Sequence, residues 1–154
     1  MDRTTYLAGR LREVFLDGKW IANTNYKDQL QDLALEQALH KTGELNTIAA
    51  LTYHINYYLD GLLKVLNGGP LDISDQFSFE LPLLESEAAW KELVATLLQH
   101  AELFAQAVAG LEDRILDSPF VKAQYGTYLR NIEGVIEHSY YHLGQIVLIR
   151  KMMQ

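Results

Sequence analysis

The chain has 154 residues, 49% of them hydrophobic and 21% charged, with a formal net charge of -7 and no cysteine. That length suffices for one core, so residues 1–154 read as one domain, and the acid excess argues against a surface built to neutralise nucleic-acid phosphates. Without cysteine there is no disulfide, thiolate metal site or protein thiol nucleophile, and any metal must be held by nitrogen and oxygen.

The first predicted element runs from Thr4 to Leu16, where Leu7, Leu11, Val14 and Phe15 recur at helical spacing before Asp17-Gly18 stops them. Lys19 to Tyr26 loses the period and reads as an ordered crossing loop, followed by a short helix from about Tyr26 to His40. Asn46 is the expected cap of a long helix whose stripe is Ile48, Leu51, Ile55, Leu59, Leu62 and Leu66, ending at Asn67-Gly68-Gly69-Pro70. Leu71 to Pro82 has no helical period and reads as a long crossover connection, with Phe77 and Phe79 expected to fold back on the core. Ser86 and Glu87 open a third long helix reaching about Leu111. Ser118-Pro119 carries a helix-start signal, Gly126-Thr127 allows a restart, and the last helix runs to about Met152. No apolar run approaches the roughly 20 residues that span a bilayer. Met1-Asp2-Arg3-Thr4-Thr5 carries no apolar signal core, so the expectation is a soluble, cytoplasmic protein with no membrane partner.

The chemistry concentrates in His138-Ser139-Tyr140-Tyr141-His142-Leu143-Gly144-Gln145-Ile146. Histidines four apart on a helix project from one face, which is the geometry of half a metal site. His54, at the midpoint of the second long helix, completes a candidate set if the two helices pack antiparallel. Three neutral imidazoles suit a divalent transition metal such as zinc, nickel, iron or manganese and leave one position open. A lone buried histidine is more often a hydrogen-bonded core residue than a ligand; the pair at four-residue spacing weighs against that reading. Gln145 extends the same stripe by a turn and Tyr58 stands one turn beyond His54, so both are candidates to line the open side and act in catalysis. Gly144 suits close approach of a helix or a substrate. His40 and His100 have no companion at metal spacing, and Glu137 is expected on a solvated face. A ferritin-like di-iron site needs Glu-x-x-His on two helices, and neither His54, His138 nor His142 has a glutamate three residues before it. There is likewise no H-E-x-x-H, G-x-S-x-G or G-x-G-x-x-G.

The pattern H-x-x-x-H-x-G-Q-I near the C-terminus, with one histidine on an upstream helix, resembles the DinB-like, YfiT-like superfamily. The resemblance implies an all-α fold, an antiparallel four-helix bundle with a His-triad metal site formed by His54, His138 and His142. It also implies a homodimer and, from relatives that use bacillithiol or mycothiol, an enzyme in which the metal activates water or a low-molecular-weight thiol. The expected partners are then a small-molecule substrate or thiol, and no nucleic acid. The alternative is a non-catalytic bundle whose metal is structural, or which binds a small ligand or partner protein, a structural metal being distinguished by a fourth protein ligand closing the site.

Overall fold

The computed structural model describes residues 1–154 and contains helices and loops, with one isolated bridge between Pro119 and Thr127 in place of any sheet. Four long helices form the frame: α1 (Arg3–Phe15), α4 (Ile48–Leu66), α5 (Glu87–Ala109) and α6 (Tyr128–Met152), with α2 (Tyr26–Leu30) and α3 (Leu35–Ala38) as short pieces between α1 and α4. Each long helix begins on a side chain that accepts a backbone N–H two or three residues inside: Asp2 from Thr5, Thr47 from Ala50, Ser86 from Ala89 and Thr127 from Arg130. The α4 cap is thus Thr47 and not Asn46. α5 packs against α1 and α4, and α6 packs against α4 and α1. Their apolar stripes meet in one cluster of 29 buried residues that includes Leu11, Phe15, Ile55, Trp90, Phe104, Ile136 and Ile146.

Three departures from the expected elements have tertiary causes. The helix expected over Tyr26 to His40 is broken between Leu30 and Leu35. There the buried Trp90 indole donates to the Leu33 carbonyl at 2.6 Å and the Leu35 amide donates to Glu87 at 2.9 Å, so α5 claims backbone groups that a continuous helix would use itself. Ser118-Pro119 opens no helix. Ser118 follows a 3-10 turn over Asp113–Asp117, its carbonyl accepts the Tyr128 amide at 3.0 Å, and Phe120 is buried against the Tyr128 ring. The segment is therefore a hairpin-like loop that anchors the start of α6, with Gly126 at φ 77° making its return turn. Neither Phe77 nor Phe79 joins the core; both are about two-fifths exposed, and Phe79 is used elsewhere.

The connection from Leu71 to Pro82 is nonetheless held in place. The Tyr57 hydroxyl accepts from the Ser74 amide at 2.8 Å and donates to its carbonyl at 3.1 Å. Gly61 on α4 lets Ile73 sit where a side chain would stand: a Cβ there would meet Ile73 Cγ2 at 2.2 Å. The chain then makes a 3-10 turn over Asp75–Phe77 and buries Ser78. This strap crosses α4 at the level of its central tyrosines and His54.

Candidate metal centre

α4 contributes His54 and α6 contributes His138 and His142, and the three rings turn inward on the same point. His138 Nε2 lies 3.1 Å from His54 Nε2 and 2.9 Å from His142 Nε2. One ring nitrogen from each, taken together, falls within 4.8 Å of the others. His54 and His142 are buried, while His138 keeps partial exposure. A tetrahedral ion with bonds of about 2.05 Å holds its ligand nitrogens about 3.3 Å apart, close to the spacings found here.

The protonation pattern fits an ion better than a hydrogen-bonded trio. Gln145 Oε1 is 2.6 Å from His142 Nδ1, and a carbonyl oxygen only accepts, so that nitrogen carries the proton and His142 Nε2 presents a lone pair. A single N–H on His138 Nε2 can satisfy only one of its two close neighbours. Burial holds all three imidazoles below their usual value; neighbouring imidazoles add to it at His54 and His138, bringing both down to about 4, while at His142 the hydrogen bond to Gln145 opposes it. They are neutral at physiological pH, the state in which imidazole ligates. On the far side of the ring, His54 Nδ1 is buried without a hydrogen-bond partner, and the nearby Ser78 backbone favours its protonated form.

The strap roofs this cluster. Phe79 stacks on the His54 ring with centroids 4.0 Å apart and planes 9° from parallel. Tyr58 stands edge-on to both His54 and His138 and donates its hydroxyl to Asp75 Oδ1. Burial first, and then the Asp75 carboxylate, push the Tyr58 phenol up to about 12, so it remains a donor at neutral pH. The Asp75 charge also acts on His54 and His138 in the direction that favours their protonated forms. Asp75 and Ser78 carry no signal in the sequence, because an aperiodic loop offers no register from which to place a side chain; Phe79, expected to fold back on the core, folds back on His54 instead.

Of the other candidates, Tyr58 lies at the cluster and also lines a solvent-open cleft of about 430 Å3 that reaches His138. Gln145 directs its Oε1 to the back of the His142 ring, opposite the converging Nε2 atoms. Gly144 is exposed with nothing within 4 Å of a would-be Cβ, so no helix approaches it. His100 pairs with Asn56 at 2.8 Å, His40 is exposed, and Glu137 is exposed and meets Arg130, all apart from the cluster.

No helix is long and apolar enough to cross a membrane. No curated protein and no solved structure matches the chain. A family model described as the DinB superfamily matches residues 22–146, a span that holds the three histidines, Tyr58, the strap and Gln145. The chain belongs to the DinB superfamily.

Proposed function

We propose that this protein is a metal-dependent enzyme in which His54, His138 and His142 hold one divalent transition ion through their Nε2 atoms. The observation that carries the reading is the convergence of three neutral imidazoles, one of them fixed in tautomer by Gln145, beside a cleft that admits a small molecule. Bound there, such an ion lowers the pKa of a water or thiol that reaches its open position, supplying a nucleophile at neutral pH without a strong protein base. The substrate side is therefore water or a low-molecular-weight thiol together with a small electrophile, making the protein a thiol transferase or a hydrolase.

The chain's own groups have separable parts in this scheme. Gln145 holds the His142 ring so that its lone pair faces the site, a positioning role. Tyr58, protonated and at the mouth of the cleft beside His138, is placed to donate to a substrate oxygen, with Asp75 fixing its hydroxyl when the cleft is empty. Phe79 and the strap keep water from the His54 side. The ring of pairings among α1, α5, α4 and α6 supports a single-domain antiparallel four-helix bundle as the scaffold. The exposed apolar residues Tyr141, Leu148 and Met152 on one face of α6 support a homodimer.

One observation favours a closed, non-catalytic site: the strap holds the Asp75 carboxylate on the hydroxyl of Tyr58, whose ring stands against His54 and His138, and a swing away from Tyr58 would offer it as a fourth ligand. Elemental analysis of untagged protein, followed by X-ray absorption of the loaded form, decides between the readings. Three imidazoles plus exchangeable light atoms support the enzyme; a permanent carboxylate that excludes thiols and other added ligands supports the structural metal. His142→Ala should abolish stoichiometric metal binding and leave the helical circular dichroism intact. Full metal stoichiometry in that variant would remove His142 from the ligand set.

A further inference from the structure

The cleft that reaches His138 has a second pole. From the histidine it runs along the first half of α6 past Val135, Gly134 and Asn131 to Arg130, with Tyr58, Leu62 and Tyr125 lining it as well. His138 and Arg130 are eight positions apart on one helix, about 12 Å along its axis. The floor between them includes Gly134, which adds no side chain, and the space above it is open: nothing lies within 4 Å of a Cβ built there. A glycine in a helix interior is destabilising relative to alanine, and no neighbouring helix approaches closely enough to require this one.

Arg130 is also unusually placed for a cation. It occupies the first turn of α6, at the positive end of the helix dipole, where no acidic residue accompanies it. Its one ion pair is with Glu137 at 3.0 Å, with both side chains about three-fifths exposed, so the pairing is weak and leaves donors of the guanidinium facing the cleft. Asn131 spends its amide N–H groups on the carbonyls of Tyr125 and Thr127, which ties the loop carrying Tyr125 to the cleft wall. The lining thus reads, from end to end, as a cation, a trough floored by Gly134 and Val135 with Leu62 beside it, a phenol donor and an imidazole.

We propose that this cleft binds small carboxylate-bearing molecules, with the carboxylate on Arg130, a short apolar chain over Gly134 and Val135, and the opposite end presented to Tyr58 and the histidine cluster. A planar carboxylate matches the forked donors of arginine, and a chain of about six carbons fits the distance to be bridged once the Arg130 side chain folds toward Glu137. The orientation of the reacting end rests on the metal-centre reading; the anion site does not.

The test is a titration of the isotope-labelled full chain, metal-free and zinc-loaded, with hexanoate and with hexanol, followed by amide chemical shifts. Hexanoate should move Tyr125, Asn131, Gly134 and Val135 in both forms, with hexanol weaker by about tenfold, the fold-change of one charge-assisted hydrogen-bonded pair. Arg130→Gln should weaken hexanoate by a similar factor of about ten and leave hexanol unchanged. Gly134→Leu should abolish binding of both by filling the floor while keeping the spectrum of the fold and the zinc stoichiometry. Equal binding of acid and alcohol, indifference to Arg130→Gln, or shifts confined elsewhere overturns the proposal. Zinc bound stoichiometrically with no hexanoate response sinks the cleft alone, whereas an Arg130-dependent response in a protein that does not take up zinc at the histidines keeps the cleft and sinks the metal centre.

Discussion

Acidification should destabilise the metal-free protein through the histidine cluster, and by an amount that can be worked out. His54 and His138 take up a proton at about 4 when folded, against 6.5 for the free side chain. Between those values the unfolded chain binds more protons than the native one. The stabilisation is therefore complete above about 6.5, declines as the pH falls, and is gone once the pH has passed through about 4. Going from pH 7 to pH 5, each such imidazole favours the unfolded chain by about 1.8 kcal/mol more. Two would give about 3.6 kcal/mol, but their shifts share part of the same mutual repulsion and His138 is partly open to water, so about 2 kcal/mol is the expected total.

For a domain of this size about 2 kcal/mol corresponds to a fall in Tm of about 4–8 °C. Surface carboxylates titrate over part of the same range, and the comparison that isolates the cluster is with His54→Gln/His138→Gln, which keeps every carboxylate and removes the two depressed imidazoles. Thermal melts of both proteins, chelator-treated, at pH 7 and pH 5 supply the measurement. The parent should lose about 4–8 °C more than the double variant, and each single variant should recover about half of that. Equal losses in parent and variant would refute the argument, since they would mean that the rings are not held neutral by burial and by one another.

Gln145→Leu removes the acceptor on His142 Nδ1 and frees the ring to present the wrong tautomer. Zinc affinity, read by competition with a chromophoric chelator, should fall by about 10–100-fold with the fold unchanged, and an unaltered affinity would show that Gln145 does not position the ligand. Gly61→Ala places a methyl group 2.2 Å from Ile73 Cγ2 and should cost about 1–3 kcal/mol in chemical denaturation by lifting the strap; adding Ile73→Ala should recover most of it, and additive losses would deny the contact. Trp90→Phe orphans the buried Leu33 carbonyl and should cost about 1–3 kcal/mol, with a neutral result contradicting the account of why α2 and α3 do not fuse.

Whatever repeats with the period of a helix is legible in the sequence. His138 and His142 share a face because four residues make about one turn, and no tertiary knowledge is needed to see it. His54 required one further step, the pairing of α4 with α6, which the apolar stripes supply. Gln145 lay on the right stripe, but a stripe fixes only the direction of Cβ. Whether its amide reached forward to the open side or back to Nδ1 depended on side-chain torsions to which the sequence pattern is blind. The same limit explains the misplaced start signal at Ser118-Pro119. Cap and proline are locally favourable for a helix, yet burial of Phe120 against Tyr128 and the amide of Tyr128 on the Ser118 carbonyl make a turn there worth more.

The strap is where the sequence reading stopped and where the site is completed. Leu71 to Pro82 shows in the sequence that it is not helical and that its two phenylalanines should fold back, but a long aperiodic connection does not say onto what. Its placement comes from α4: Tyr57, Tyr58 and Gly61 fall on the turns that follow His54, so the helix that presents this histidine also presents the groups that dock the segment above it. Phe79 on His54 and Asp75 on Tyr58 are the result. A disturbance of the strap should then be felt by the histidines even though none of its residues is among them. It also follows that the cleft toward Arg130 is the side left open, because Phe79 and Ser78 cover His54 while His138 alone of the three keeps exposure there. Closure over His54 is set by α4, which carries that imidazole, and access to His138 runs along α6, which carries the other two.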